Sequence, residues 1–305
     1  MSAPDSHHDQ DIPPRPSRSL QGRVAIVTGA GSRANGIGNG RAAAILLAEA
    51  GANVVCLDMN LDWANVTVDM ILADVGRPQG NEVPRAIALQ IDVTKEDQCK
   101  HAVEHTLEWY GRLDILINNV GVGGPLGTAV DVDPAQWAKG LEINVTSMML
   151  MTKYAVPAME KNERHPIAGR GSIVNIASVA GLVGGTPMLL YPTSKGAVVN
   201  MTRAMAVHHA PSGIRVNCVC PGMLYTPMLY ASGMSDEVRE ARKNRSLLKT
   251  EGNGWDTGCA VRFLASDEAR WMTGSILTVD AGATAAPSGS GMGQGLSSTL
   301  AGGVQ

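Results

Sequence analysis

Tyr191 and Lys195 stand four residues apart, and Ser178 lies thirteen residues before the tyrosine. On a helix that spacing puts the phenol and the amine on one face, a turn from each other. The pair suits acid–base chemistry. A phenol with a pKa of about 10 is a weak base at neutral pH, and a nearby ammonium favours the phenolate and draws that pKa down. A serine hydroxyl alongside can hold a carbonyl or alcohol oxygen while the phenol exchanges its proton. Tyr-x-x-x-Lys recurs by chance in many helices, so its weight comes from what stands upstream.

The elements that would position these residues begin at Arg23-Val24-Ala25-Ile26-Val27, a short apolar run. It leads into a turn carrying Gly29, Gly31, Ser32, Arg33, Asn35, Gly36, Ile37, Gly38, Asn39 and Gly40, then an Ala-rich segment from Arg41 to Ala50 that Gly51 stops. Strand, glycine-rich turn and helix form the context of a dinucleotide site. Glycines let the backbone approach a pyrophosphate, whose charge sits at the helix N-terminus. The next apolar run, Asn53 to Leu57, ends in Asp58, twenty residues after Gly38. A carboxylate there accepts hydrogen bonds from adenosine ribose hydroxyls and repels a 2′-phosphate, which points to NAD. Arg33 is the counter-signal for NADP, because a basic residue in this loop can bind that phosphate.

Taken together, these residues resemble the short-chain dehydrogenase/reductase family over about Leu20 to Gly282. The resemblance implies further sites. Asp92-Val93-Thr94 is similar to the segment that borders the adenine ring. Asn118-Asn119-Val120-Gly121 is similar to the family's Asn-Asn-Ala-Gly, with Val120 in place of Ala, and makes Asn119 and Gly121 cofactor contacts. Asn144 matches the helical Asn that completes a tetrad with Ser178, Tyr191 and Lys195; the resemblance also gives Lys195 the nicotinamide ribose. Pro221-Gly222-Met223-Leu224-Tyr225-Thr226 is similar to the loop that grips the nicotinamide carboxamide, through Gly222, Leu224 and Thr226. A homotetramer is implied as well, paired through the helices after Asn144 and Tyr191 and through the last strand region. The glycine loop departs from the family, whose spacing puts three residues between the Thr-Gly pair and the next Gly-x-Gly. Here the gap is six if the pair is Gly36/Gly38 and eight if it is Gly38/Gly40, and the distance from Gly40 to Gly51 favours the second.

Runs near 24–27, 53–57, 86–91, 115–117, 172–176, 215–220 and 276–279 alternate with longer helical patterns. That alternation predicts an α/β, doubly wound, mostly parallel seven-stranded sheet in one domain over 20–282, with ligands outside the carboxyl ends of the strands. Residues 1–19 read as a disordered extension and 283–305 as a flexible Gly/Ser-rich tail. Residues 74–85 and 160–170 read as surface loops.

A net charge of −3 gives no basic surface for nucleic acid or an anionic membrane, and no apolar run reaches membrane-spanning length. Five widely spaced cysteines and an N-terminus without a hydrophobic core point to the cytoplasm. Cys218 and Cys220 lack a matching His or Asp cluster, so no metal is expected.

The expected activity is interconversion of a secondary alcohol and a ketone with NAD. The alternatives are an NADP-dependent carbonyl reductase, a non-catalytic dinucleotide-binding regulator, and an epimerase, dehydratase or lyase that holds its NAD. A substrate lid is expected over 223–255, with Gly185, Met188, Met223 and Met228 beside Ser178 and Tyr191. No arginine or lysine is expected in that wall: Arg239, Arg242 and Lys243 read as a solvated face, so the substrate reads as mainly apolar, cyclic or aromatic, and neutral.

Overall fold

Val24–Thr28 (β1) and Ile115–Asn118 (β4) are apolar on both faces and buried throughout, as strands must be when helices cover both sides of a parallel sheet. The computed structural model describes residues 13–80, 82–231 and 233–286. Around β1 and β4 it arranges Asn53–Asp58 (β2), Ala86–Gln90 (β3), Gly171–Ile176 (β5), Ile214–Pro221 (β6) and Ile276–Val279 (β7). The order is β3-β2-β1-β4-β5-β6-β7, and every pairing is parallel. The expected α/β, doubly wound architecture is the observed one. The chain winds outward from β1 to β3 and returns to start β4 beside β1, which opens a crevice at the carboxyl ends of those two strands.

Alternate residues of β1 feed two cores. Ala25 and Val27 pack with Ala44 and Leu47 of Asn39–Glu49 (α1), with Ile71 of Leu61–Val75 (α2), and with residues of a late helix, among them Val261 and Leu264. Ile26 joins the opposite core with Cys99 and Val103 of Glu96–Tyr110 (α3) and with later methionines, including Met151, Met159 and Met205. The remaining helices are Pro134–Leu141 (α4), Ser147–Glu160 (α5), Leu190–His209 (α6), Pro227–Tyr230 (α7), Asp236–Lys243 (α8) and Gly254–Ala265 (α9). Asp133 caps α4 by accepting from Gln136 N, and Asn253 and Asp256 form a reciprocal capping box on α9. Among the described residues no helix is long and apolar enough to cross a membrane.

Most of the two terminal stretches expected to be disordered or flexible lies outside the described residues. Residues 283–286 are described, and they form a turn rather than free tail. Asp280 holds it, accepting at Oδ1 from Gly282 N and at Oδ2 from Thr284 N and Oγ1. Leu247 N donates to Ala281 O at 3.0 Å, tying the turn to the lid region.

Candidate functional site

The glycine-rich turn leaves β1 at Gly29, whose φ of +62° is a left-handed conformation that suits glycine. Helix α1 begins after Gly38, which is extended at the N-cap with no side chain capping the helix. The first α1 amides are therefore open to an anion. A Cβ on Gly40 would lie 2.1 Å from Gly29 O and 2.5 Å from Asn119 Nδ2, so Gly40 is where α1 presses on the β1 turn. That is the close-packing role of the last glycine in a dinucleotide loop, and it selects the Gly38/Gly40 alignment. The extra residues form a buttressed excursion. Arg41, buried, donates to Gly36 O at 2.6 Å and to Thr67 Oγ1 at 3.0 Å, and Tyr230 Oη of α7 donates to Asn35 O at 3.0 Å. Ser32 and Ile37 are half-buried within it, while Arg33 is exposed. Asn39 Oδ1 is buried without a partner among the described residues.

Asp58 stands at the end of β2, its Oδ2 accepting from Gly31 N and its Oδ1 from Asn60 N, both at 3.0 Å. Burial raises its pKa, and those two amides and the Arg41 charge oppose the rise. On the other side of the crevice, Asn119 donates through Nδ2 to the carbonyls of Thr28 and Gly29, and its N–H reaches Thr28 Oγ1. Asp92 caps its own turn through Thr94, with Val93 buried beside it. The uncapped helix start, the glycine contact and the carboxylate at the β2 end fit a nicotinamide dinucleotide stretched across this crevice.

Asn144, Ser178, Tyr191 and Lys195 come together beyond β4 and β5. Asn144 lies in a π-helical turn, Glu142–Thr146, between α4 and α5, and is fully buried. Such turns recur at functional sites because they re-aim one side chain. Its Oδ1 accepts from Val122 N, and its Nδ2 donates to Val122 O and to Ser194 Oγ at 2.9 Å. Ser178 follows β5, and its Oγ accepts from Ala180 N. Lys195 is buried, donates from Nζ to Ile176 O at 2.9 Å, and lies 5.9 Å from the Tyr191 ring centroid. A Cβ on Gly121 would lie 3.0 Å from Lys195 Nζ, so that backbone abuts the amine.

The electrostatics correct one expectation. Burial raises the Tyr191 pKa above that of a free phenol, and the Ser178 hydroxyl and the Arg242 charge lower it only in part. Lys195 is itself displaced, its pKa pulled down to about 8 by burial, with Cys218 and Cys220 opposing. Between pH 8 and 10.5 the unfolded chain holds a proton that the folded chain has released, so this group makes stability rise with pH there. Below pH 8 the full cost of its buried charge is present. Lys195→Met should therefore exceed the wild type in urea-unfolding free energy most at pH 7, both without cofactor. The gap should narrow by on the order of 3 kcal/mol toward pH 10.5. A gap independent of pH would show that Lys195 folds with its ordinary pKa.

A cavity of about 380 Å³ opens beside Val179, the residue after Ser178, and is lined by Val179, Val183, Gly184, Met223, Arg245 and the 283–286 turn; Ser178 and Tyr191 are not themselves in its wall. Of the four flanking residues expected at the substrate, Met223 is in this wall, whereas Gly185, Met188 and Met228 are not. Met228 is 60% exposed because α7 turns it outward, Met188 sits against Gly123, and Gly185 has open space around it. Gly222 donates to Val279 O, Leu224 is buried and Thr226 precedes α7, so the expected nicotinamide loop is pinned to β7. The expectation of a wall without basic residues fails. Arg245 lines the cavity, and Arg242 is half-buried, donates to Leu224 O at 3.3 Å and acts electrostatically on Tyr191.

Sequence reasoning missed Ser194, Arg41 and Tyr230 as supports of the site. Arg41, at the start of an otherwise Ala-rich helix, was the one signal available: a lone guanidinium on a face that must be buried needs fixed acceptors. Among the described residues no cluster of His, Cys, Asp and Glu could hold a metal.

The family model described as Enoyl-(Acyl carrier protein) reductase matches residues 31–284. Meso-2,3-butanediol dehydrogenase from Serratia marcescens is 36% identical, over 86% of this chain and 95% of its own length. Cis-4-hydroxycyclohexanecarboxylate dehydrogenase from Sinomonas cyclohexanicum is 37% identical, over 86% of this chain and 97% of its own. A solved 7α-hydroxysteroid dehydrogenase, complexed with NADH and 7-oxo glycochenodeoxycholic acid, superposes with a TM-score of 0.76 at 34% identity, covering 87% of this chain and 95% of that one.

Proposed function

The chain belongs to the short-chain dehydrogenase/reductase family and is an oxidoreductase, and on that footing we propose that it interconverts a secondary alcohol and a ketone with NAD. The observation that carries this reading is the convergence of Asn144, Ser178, Tyr191 and Lys195 beside a cavity that can hold a small molecule. In the oxidative direction Ser178 Oγ holds the substrate oxygen and Tyr191 Oη, as the phenolate, takes its proton to become the neutral phenol. Asn144 is fixed by Val122 and Ser194 and faces Gly121 together with Lys195, and Lys195 supplies positive charge in its protonated form. Bound NAD supplies the hydride chemistry, and the protein supplies orientation and electrostatics. Val179, Val183 and Met223 suit an apolar, cyclic or aromatic body next to the reacting carbon.

Asp58 supports NAD over NADP. A carboxylate already disfavoured by burial is a poor neighbour for a 2′-phosphate, while a ribose diol can donate to it. The test is kcat/KM with each cofactor on a secondary alcohol such as cyclohexanol, followed at the nicotinamide absorbance. NAD should be preferred, and Asp58→Asn should narrow that preference by roughly tenfold, the size of one charge-assisted hydrogen bond. A wild-type preference for NADP would overturn the cofactor assignment, and no turnover with either cofactor on a panel of alcohols and ketones would overturn the reaction.

A further inference from the structure

Helix α8 and the turn after it carry Arg239, Arg242, Lys243 and Arg245, and the four are not equivalent. Arg239 is neutralised, held by both oxygens of Glu251 and stacked 3.9 Å over the Tyr225 ring. Lys243 pairs with Glu240 at 3.3 Å. Arg242 and Arg245 have no carboxylate within 4 Å among the described residues. Arg245, largely exposed, forms part of the cavity wall, and Arg242, half-buried, donates to Leu224 O, with its charge felt at Tyr191.

The Arg242 guanidinium is poorly compensated where it lies. Burial lowers the Arg242 pKa, the like charge of Arg245 lowers it further, and Glu251, already committed to Arg239, gives only partial relief. A cavity with Val179, Val183 and Met223 in its wall, Arg245 beside them and Arg242 near by, both without a carboxylate partner, is complementary to a molecule with an apolar body and one anionic end. The planar guanidinium fork matches a carboxylate best, because both oxygens can be bonded at once.

We propose that Arg242 and Arg245 form a carboxylate-recognition site, so that the preferred substrate is a hydroxy acid (or its keto acid) whose secondary hydroxyl and carboxylate are separated by an apolar, ring-sized body. The proposal rests on the reaction above. It changes the substrate's charge and leaves the chemistry at Ser178 and Tyr191 as described.

The experiment compares kcat/KM with NAD for 4-hydroxycyclohexanecarboxylate and for its methyl ester. It uses the wild type, Arg242→Gln, Arg245→Gln, the double variant, and Lys243→Gln as a control for general lid charge. The readout is the acid-to-ester ratio, in which any effect of a variant on Tyr191 itself cancels. The wild type should favour the acid by roughly tenfold to a hundredfold, expressed mainly in KM, as expected for charge-assisted hydrogen bonds to one carboxylate. The double variant should bring the ratio near one, and Lys243→Gln should keep it. A wild-type ratio near one, or an equal loss in Lys243→Gln, overturns the proposal. Calorimetric titration of the NAD-loaded protein with cyclohexanecarboxylate, which cannot react, separates the two readings. Binding that the double variant abolishes supports the carboxylate site even if neither alcohol is oxidised, an outcome that would count against the reaction alone. Absence of such binding overturns the site.

Discussion

Tyr191→Phe should lower kcat for alcohol oxidation by roughly 10²- to 10⁴-fold while weakening NADH binding far less. The substitution keeps the half-buried ring at the start of α6, and with it the packing against its neighbours. What it deletes is the hydroxyl that exchanges the proton. Because burial raises the phenol's pKa, wild-type oxidation should also climb as pH rises, and the variant should lose that climb with its rate. Steady-state kinetics over pH and NADH fluorescence titration measure the two halves of the claim. Turnover within a few-fold of wild type would remove Tyr191 from the chemistry.

Gly40→Ala should cost both the fold and the cofactor. Its Cβ would lie 2.1 Å from Gly29 O and 2.9 Å from Gly29 C, backbone atoms of the phosphate turn that cannot rotate away. Overpacking of this kind costs about 1–3 kcal/mol, and relieving it requires α1 to move off β1. NADH affinity should fall at least tenfold alongside a lower Tm. Gly38→Ala supplies the contrast. A Cβ there meets only Ser32 Oγ at 3.9 Å, so the empty protein accommodates it. Its Tm should hold while NADH affinity falls, because the added methyl occupies the space through which the pyrophosphate approaches the α1 amides. Unchanged affinity in both variants would mean that the phosphates lie elsewhere.

The sheet was readable in the sequence because its strands are short, apolar on both faces and separated by helices of ordinary length. The strands expected at 24–27, 53–57, 115–117 and 276–279 match the observed ones to within a residue at each end. Asn144 could be named from its surrounding Glu-Ile-Asn-Val, but the π-helical turn that aims it could not, since its reason is the Val122 backbone, distant in sequence. The loop path was equally hidden. Arg41 to Gly36 is local, whereas Tyr230 to Asn35 joins residues 195 apart. Helix α8 misled because its two apolar residues, Val238 and Ala241, are exposed, so its hydrophobic face does not mark the inward side. The partners decide: Glu240 and Glu251 take Lys243 and Arg239 and leave Arg242 and Arg245 without a carboxylate, Arg245 in the cavity wall. The 283–286 turn looked like linker by composition, and Asp280 organises it.

The bond from Tyr230 to Asn35 joins α7, in the stretch expected to be a lid, to the glycine-rich loop. Space there is already used, since a side chain at Gly36 would strike the Tyr230 hydroxyl. Helix α7 and the glycine-rich loop therefore do not shift independently. Whatever moves the loop near Asn35 and Gly36 moves against Tyr230, and whatever moves α7 pulls on the loop.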